Sequence, residues 1–177
     1  MNCALSGHNP HRFKFKYDER QRLCTKLKKA LTAQIIAAYE RGVRRFFAGG
    51  APGVDTWASE AVLELKTQPV YADMELVCVV PFPEQDARWI LPQRARYRKI
   101  LAQSSEIITI SPQYNDDVYR KRNCYMVDHA EVLIAVYDND KQMRSGVGQA
   151  VRYAEKRNRE IILIHPDTAK VTVNAEA

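Results

Sequence analysis

The sequence contains little of what fibrous, disordered or membrane-spanning chains require. Its 177 residues include seven glycines and eight prolines, too few for collagen or a low-complexity linker. No apolar run approaches the roughly 20 residues that span a bilayer, and the first apolar stretch breaks at Ser6 and Gly7, so we expect neither a membrane span nor a signal peptide. The length predicts a single domain over residues 1–166, with residues 167–177 as a tail or an edge strand.

The four cysteines do not form a metal-binding or disulfide pattern. None belongs to a C-x-x-C pair, and no spacing of cysteine and histidine suits zinc. Cys3 and Cys78 lie in apolar, strand-like runs, where a free cysteine acts as a small hydrophobic residue. We therefore expect no metal, reduced thiols and a cytoplasmic location.

In total, the chain carries more positive than negative charges. Lysine and arginine total 27 against 21 aspartates and glutamates, a formal net charge of +6. A basic surplus favours an anionic partner such as a nucleotide, a nucleic acid or an acidic surface. The charges are spread along the sequence, so the surplus does not choose among these partners.

Apolar runs rich in valine, isoleucine and leucine alternate with stretches of helical periodicity. Strands are predicted at residues 1–6, 43–48, 75–80, 106–110, 131–137 and 160–164, and helices at 18–41, 55–66, 90–103, 116–129 and 146–157, with an edge strand or a frayed end at 171–173. This alternation is typical of an α/β protein with a Rossmann-like, doubly wound, mainly parallel sheet of about six strands flanked by helices. The many apolar positions at 18–41 keep a homo-oligomer open as an alternative.

In such sheets, ligands bind beyond the carboxyl ends of the strands. The loop after the second strand contains Gly49, Gly50 and Gly53 and leads into a helix. Glycines let a backbone approach an anion closely, and a helix N-terminus offers free N–H groups, so this loop predicts a phosphate site. A tight turn that needs glycine for geometry alone is the alternative. Asp55 would repel a phosphate, so we assign it to helix capping or to a ribose hydroxyl.

Two other loops and one helix supply further candidate ligand contacts. The loop after the first strand offers Ser6, Gly7 and His8, and the loop after the fifth strand offers Ser145, Gly146 and Gly148 at the start of a helix; Arg122 and Asn123 lie at the beginning of the helix before it. Arginine binds phosphate as a planar fork, and an asparagine near a cleft can offer its amide to a base or a sugar. The alternatives are a structural role for His8, a flexible helix start at residues 145–148, and a solvated helix start at Arg122 and Asn123.

Four motifs together resemble a known family over about residues 1–165. They are Ser-Gly-His at 6–8, Gly-Gly-Ala-x-Gly-Val-Asp at 49–55, Arg-Asn-x-x-Met-Val-Asp at 122–128 and Leu-Ile-Ala-Val-Tyr-Asp at 133–138. They look like the YpsA-like branch of the SLOG superfamily, which also includes the Lonely Guy phosphoribohydrolases and the DprA recombination mediators. The resemblance implies a Rossmann-like fold whose nucleotide pocket is formed by Gly7, His8, Gly49, Gly50, Gly53, Asp55, Arg122, Asn123 and residues 145–148.

The sequence departs from the Lonely Guy pattern in its last motif. Those enzymes carry Gly-Gly-x-Gly-Thr followed closely by a glutamate that cleavage of the glycosidic bond needs, whereas residues 145–152 contain no carboxylate and Glu155 comes a turn later. Loss of that carboxylate argues against the hydrolase, because glycosidic cleavage uses a carboxylate to stabilise positive charge at the sugar. Ser145 and Val147 also replace the glycine and threonine usual in the YpsA branch.

Three functions remain, and the first is favoured. The chain is a binding or sensing protein for a nucleotide or nucleotide derivative, without demonstrated catalysis. Alternatively, it is a nucleotide-processing hydrolase that uses Asp55, Asp128 or Asp138, or it binds single-stranded DNA in the manner of DprA.

Overall fold

A computed structural model describes residues 1–174 and contains, in that range, seven strands and five α-helices. The bounds in chain order are β1 Asn2–Gly7, α1 Arg22–Glu40, β2 Arg45–Ala48, α2 Val54–Lys66, β3 Glu75–Val80, α3 Leu91–Gln103, β4 Glu106–Thr109, α4 Val118–Asp128, β5 Val132–Val136, α5 Gly146–Lys156, β6 Glu160–Ile164 and β7 Val171–Asn174. Short 3-10 turns occupy Pro10–Arg12 and Pro69–Tyr71. Residues 175–177 of the expected tail lie outside the described part.

All strands form one sheet in the order β4-β3-β2-β1-β5-β6-β7. Every neighbouring pair is parallel except β6 with β7, which is antiparallel. The chain winds outward from β1 to β4 and returns to β5 on the other side of β1, so β1 and β5 flank the topological switch point. The predicted fold class is confirmed, with seven strands where about six were expected.

Helices cover both faces of the sheet, and the side chains of each strand alternate between them. The helices α1, α2 and α3 pack on one face around residues such as Leu27, Val62 and Ile100. The other face carries α4 and α5, through Met126 and Val151 among others. The strand β5 is buried throughout and β3 is buried from Leu76 onward, as their continuous apolar runs predict for a parallel sheet covered on both sides.

The first helix begins at Arg22, four residues later than predicted. The Asp18 side chain accepts hydrogen bonds from the backbone N–H of Arg20 and the side chain of Gln21, and this local turn competes with a helical start. The helix ends as expected, because Gly42 follows it with a φ of +105°, a conformation that favours glycine.

The outer surface of α1 carries no large exposed apolar side chain. Leu27, Leu31 and Ile35 are buried against the sheet, and the partly buried apolar residues of the helix pack on the same core. The helix α1 therefore lacks an exposed apolar stripe through which two copies of the protein could pair. Large exposed apolar side chains gather instead near β3 and β4, at Ile90, Leu91, Ile107, Tyr114 and Tyr119.

Candidate ligand-binding site at the switch point

A cavity of about 460 Å³ lies at the carboxyl edge of the sheet, beside the ends of β1 and β5. Its walls come from the loop after β1, the Pro10–Arg12 turn, the β2–α2 loop with the first turn of α2, α4, and the segment that leads into the first turn of α5. The lining residues are Leu5, Ser6, Gly7, His8, Asn9, His11, Arg12, Ala51, Asp55, Arg122, Asn123, Met126, Met143, Arg144, Ser145, Gly146 and Val147. Eight of the twelve predicted site residues are thus brought together: Ser6, Gly7, His8, Asp55, Arg122, Asn123, Ser145 and Gly146.

The first turn of α5 faces this cavity. Ser145 is the N-cap, and its hydroxyl accepts the N–H of Gly148 at 3.0 Å. Gly146 is exposed, and the nearest atom that a Cβ there would meet is Asn123 Nδ2 at 3.9 Å. The N-terminus of this 11-residue helix is therefore open, and its N–H groups and dipole favour an anion.

Asn123 holds the start of α5 in place. Its Nδ2 donates to the Gly146 carbonyl at 3.2 Å and to Gln149 Oε1 at 3.0 Å, while its Oδ1 accepts from Arg122 Nε at 2.9 Å. Both ends of the amide are thus engaged within the protein. The sequence predicted that Asn123 offers its amide to a base or a sugar. In the structure, its side chain instead holds the start of α5 and Arg122 in position.

Arg122 places a buried guanidinium at the cavity wall. The residue is 8% exposed, and its Nη1 lies 3.7 Å from Asp55 Oδ2, which is longer than a hydrogen bond. Among residues 1–174, Nη1 has no hydrogen-bond partner. This atom packs over Gly49, and an unpaired buried donor of this kind is costly, so a hydrogen-bond acceptor that reached it would stabilise it.

Asp55 lies beside Arg122 and is not the cap of its helix. Gly53 is the N-cap of α2, and the Asp55 carboxylate instead accepts the N–H of Ala51 at 3.3 Å. The capping assignment is therefore wrong, because Asp55 sits inside the first turn and faces back toward the loop. Burial raises the pKa of Asp55, and the charge of Arg122 opposes that rise.

His8 contributes a second unpartnered polar atom. The residue is 8% exposed, and its Nε2 is buried without a hydrogen-bond partner in the described chain. Burial and the nearby charge of Arg12 lower the pKa of His8, although Asp138 and Asp167 act in the opposite direction. A neutral imidazole therefore lines the cavity at pH 7.

Arg12 and Arg144 add positive charge that the predicted site did not include. Arg12 Nη2 donates to Asp138 at 2.6 Å and to Asp167 at 3.4 Å, and Arg144 is exposed at the rim. Asn9 followed by Pro10 is a sequence signal for the start of a helical turn. That signal predicts that the chain folds back after β1, and the turn is what carries Arg12 to the cavity.

Four predicted glycines do not line the cavity, and each is packed against another part of the protein. A Cβ on Gly49 would lie 1.6 Å from Arg122 Nη1, and one on Gly50, whose φ is +78°, would lie 2.7 Å from the ring of Tyr97. At the other two, Gly53 and Gly148, it would lie 2.7 Å from the His8 carbonyl oxygen and 2.8 Å from the Tyr137 hydroxyl oxygen. At these four glycines, atoms of the protein itself fill the space that a ligand would need next to the backbone.

Residues 1–174 contain no cluster of three or more histidine, cysteine, aspartate or glutamate side chains that could hold a metal ion. Within the same range, no helix combines the length and the apolar character that crossing a bilayer requires.

Comparison with known proteins gives concordant results over most of the chain. Residues 3–169 match the YpsA family, described as the YspA SLOG family. The protein is 27% identical to the UPF0398 protein YpsA of Bacillus subtilis over 98% of this chain and 97% of that protein. It is 34% identical to the UPF0398 protein BH1768 of Halalkalibacterium halodurans over 78% of this chain and 72% of that protein.

A solved structure also resembles this one in fold. It is DNA processing protein A from Helicobacter pylori, whose structure was described for its single-stranded DNA binding mode. The TM-score is 0.60 and the sequence identity 19% over 92% of this chain, which spans 64%, less than two thirds, of that protein.

Proposed function

Because this chain belongs to the YspA SLOG family, and because its switch-point cavity offers a helix N-terminus and arginine side chains, we propose that it binds a nucleotide or nucleotide derivative and acts by binding or sensing it. The observation that carries the proposal is the open first turn of α5 beside the unpartnered Nη1 of Arg122 and Nε2 of His8. A phosphate at the start of α5 would accept hydrogen bonds from the free N–H groups of the helix, with the Arg122 guanidinium nearby to balance its charge.

The size and charge of the cavity support the same ligand class. Its volume of about 460 Å³ lies within the range of about 300–1,000 Å³ that is usual for small-molecule sites. Three arginines, Arg12, Arg122 and Arg144, line it together with a single carboxylate, Asp55. Arg12 is already paired with Asp138 and Asp167, so Arg122 and the exposed Arg144 are the arginines that support an anion in this cavity.

The hydrolase alternative depends on Asp55 alone. Asp128 bonds to Tyr153 and Arg157, and Asp138 bonds to Arg12; neither carboxylate lines the cavity. Asp55 is buried with a raised pKa, which is a property that catalytic acids share with structural carboxylates. Chromatographic detection of free base or ribose phosphate, abolished by Asp55→Asn, would establish turnover in place of sensing.

Single-stranded DNA binding is the second candidate, favoured by the fold shared with DNA processing protein A. The two candidates differ in their response to salt. A strand that contacts several cationic side chains loses affinity steeply as salt rises, with a slope of about −0.7 per neutralised phosphate. A small ligand held in the cavity contacts few phosphates and gives a shallow slope.

The proposal is tested by thermal unfolding with inorganic tripolyphosphate, nucleotides, cyclic dinucleotides, NAD and ADP-ribose. We expect at least one of these anions to raise the Tm of the wild-type protein. Arg122→Gln should weaken that ligand by about 10-fold or more, since it removes a charge-assisted hydrogen bond. Arg152→Gln, at an exposed arginine of α5 outside the cavity, is the matched control and should bind normally. The absence of any Tm shift across the panel would contradict the proposal.

A further inference from the structure

A second cleft lies along the same edge of the sheet, beyond the carboxyl ends of β3 and β4. Its volume is about 620 Å³, and the rings of Phe82, Trp89, Tyr114 and Tyr119 line it. Tyr114 is 58% exposed and Tyr119 is 45% exposed. Four aromatic rings, two of them largely exposed, are thus concentrated at the functional edge of the sheet.

The rings form an ordered wall. The Phe82 ring lies 5.6 Å from that of Tyr114 and 6.1 Å from that of Tyr119, at interplanar angles of 80° and 78°. Across the cleft, Trp89 is held edge-on against the buried Tyr97 at 5.1 Å. A planar aromatic guest would find faces and edges on which to stack.

A buried side-chain amide adds a polar group to the aromatic lining of the cleft. Gln85 lines the cleft and is 6% exposed. Its Nε2 donates to the Tyr97 hydroxyl at 2.9 Å and to the Gly49 carbonyl at 3.3 Å. No hydrogen bond to its Oε1 is formed by residues 1–174. Such an oxygen can accept an N–H from the edge of a ring.

The cleft and the anion cavity are joined through α4 and Gln85. Tyr119 lines the cleft, and Arg122, three residues later on α4, lines the cavity. Residues at this spacing lie about 5–6 Å apart between Cβ atoms on one face of a helix. Gln85 also bonds to Gly49, the residue over which the Arg122 guanidinium lies. The two sites are therefore neighbours along this edge of the sheet, although they share no lining residue.

We propose that this aromatic cleft binds the base of the ligand whose phosphate occupies the cavity, with Tyr114 and Tyr119 as the stacking platform and Gln85 Oε1 as the acceptor for an N–H of the base. The inference rests on the proposed function, since it uses the cavity as the phosphate site. The base belongs either to a free nucleotide or to a single strand of nucleic acid, and the two sources are separated by the probes below.

The test compares probes with and without a base on the full chain. Calorimetry measures the Kd of tripolyphosphate, ATP, GTP, CTP and UTP, and fluorescence anisotropy measures that of a labelled single-stranded oligodeoxynucleotide and its abasic counterpart. The test variant is the double substitution Tyr114→Leu with Tyr119→Leu, and the conservative variant is Tyr114→Phe with Tyr119→Phe. Tyr71→Leu is the matched control, because Tyr71 precedes β3 and lies at the opposite edge of the sheet.

We expect at least one base-bearing probe to bind about 10-fold tighter than its base-free counterpart. The double leucine variant should abolish that advantage and leave tripolyphosphate binding within about twofold, whereas the phenylalanine variant and Tyr71→Leu should keep the advantage. An advantage among the triphosphates identifies a free nucleotide as the source, and one confined to the oligonucleotide identifies a single strand.

The cleft is not the base site if base-bearing and base-free probes bind equally, or if the advantage of the base survives in the double leucine variant. Either outcome leaves the proposal of an anion site in the cavity unaffected. Failure of every probe, tripolyphosphate included, overturns the proposed function as well. The two failures are thus distinguishable.

Discussion

Asp55 and Asp138 lie on opposite sides of the switch point, and the fold shifts their pKa values in opposite directions. Asp55 is buried, and its burial raises its pKa despite the charge of Arg122. Burial is the largest single influence on Asp138 and acts to raise its pKa, but the hydrogen bonds from Arg12 and from the Asp140 N–H, together with the charge of Arg12, outweigh it, and the pKa is lowered. The sequence places both residues in loops that follow or flank strands and does not distinguish them, because burial and partner depend on the assembled sheet.

These shifts predict opposite pH dependences of stability. Asp55 has a folded pKa above its unfolded value, so its contribution to the free energy of unfolding is complete below about pH 3.9 and is lost as pH rises through the folded pKa. The contribution of Asp138 is present above about pH 3.9 and is lost as pH falls through its depressed pKa. Urea unfolding of the wild type, Asp55→Asn and Asp138→Asn across a pH series measures both differences. Curves that shift in the same direction for the two variants would show that the assignment of one carboxylate is wrong.

At the scale of elements, the loop between β2 and α2 and the start of α5 were both predicted to contact an anion, and the structure distinguishes them. The glycines of the β2–α2 loop predicted an anion cradle, but an arginine, a tyrosine ring and a backbone carbonyl occupy the space beside them. A glycine in a sequence indicates that something approaches the backbone closely, and it does not say what approaches. The first turn of α5, which the sequence offered only as a second possible anion cradle, is the one that the fold leaves open.

The substitution Gly146→Asp should separate stability from binding. A side chain has room at this position, and a carboxylate in the first turn of a helix stabilises it by about 0.3–1 kcal/mol. The same carboxylate would occupy the anion site, so tripolyphosphate and nucleotide binding should be lost. Gly146→Asn, which is uncharged and of similar size, is the matched control for the charge. Thermal unfolding and calorimetry measure the two effects, and a Gly146→Asp protein that binds like the wild type would exclude α5 as the anion site.

Gly53→Ala should instead destabilise the fold by about 1 kcal/mol or more. Gly53 has a φ of +91°, and a Cβ there would lie 2.7 Å from the carbonyl oxygen of His8. Gly146→Ala is the comparison, since its Cβ meets open space and alanine favours the helix. Chemical denaturation of the two variants gives the difference, and equal stabilities would contradict the close packing of the β2–α2 loop on the β1 loop.

At the scale of the whole molecule, the alternation of strands and helices was sufficient to predict the fold class. The return of the chain from β4 to β5, and with it the position of the switch point, depends on tertiary packing that local periodicity does not encode. The aromatic cleft was not predicted for the same reason. Its lining comes from the loop after β3, the loop after β4 and the first turn of α4, which are separated by up to a helix and a strand in the sequence.

The burial of the cysteines predicts how the native protein reacts with thiol reagents. Cys3, Cys24 and Cys78 are buried, and Cys124 is half-buried. Burial raises the pKa of Cys24 and of Cys78 to about 11, so little reactive thiolate forms at neutral pH. A disulfide reagent should label only Cys124 in the native state and all four cysteines in denaturant. Cys124→Ser should then show no fast native reaction; two or more fast thiols in the wild type would contradict the described core.

The antiparallel pairing of β7 determines where the described chain ends in space. Asn174 pairs with Ile161 near the beginning of β6, and Asn2 pairs with Arg45 at the beginning of β2. Both termini of the described chain therefore leave from the side of the sheet opposite the cavity and the cleft. A protein immobilised on a sensor surface through either terminus, or fused there to a reporter, would keep its ligand sites turned toward the solution.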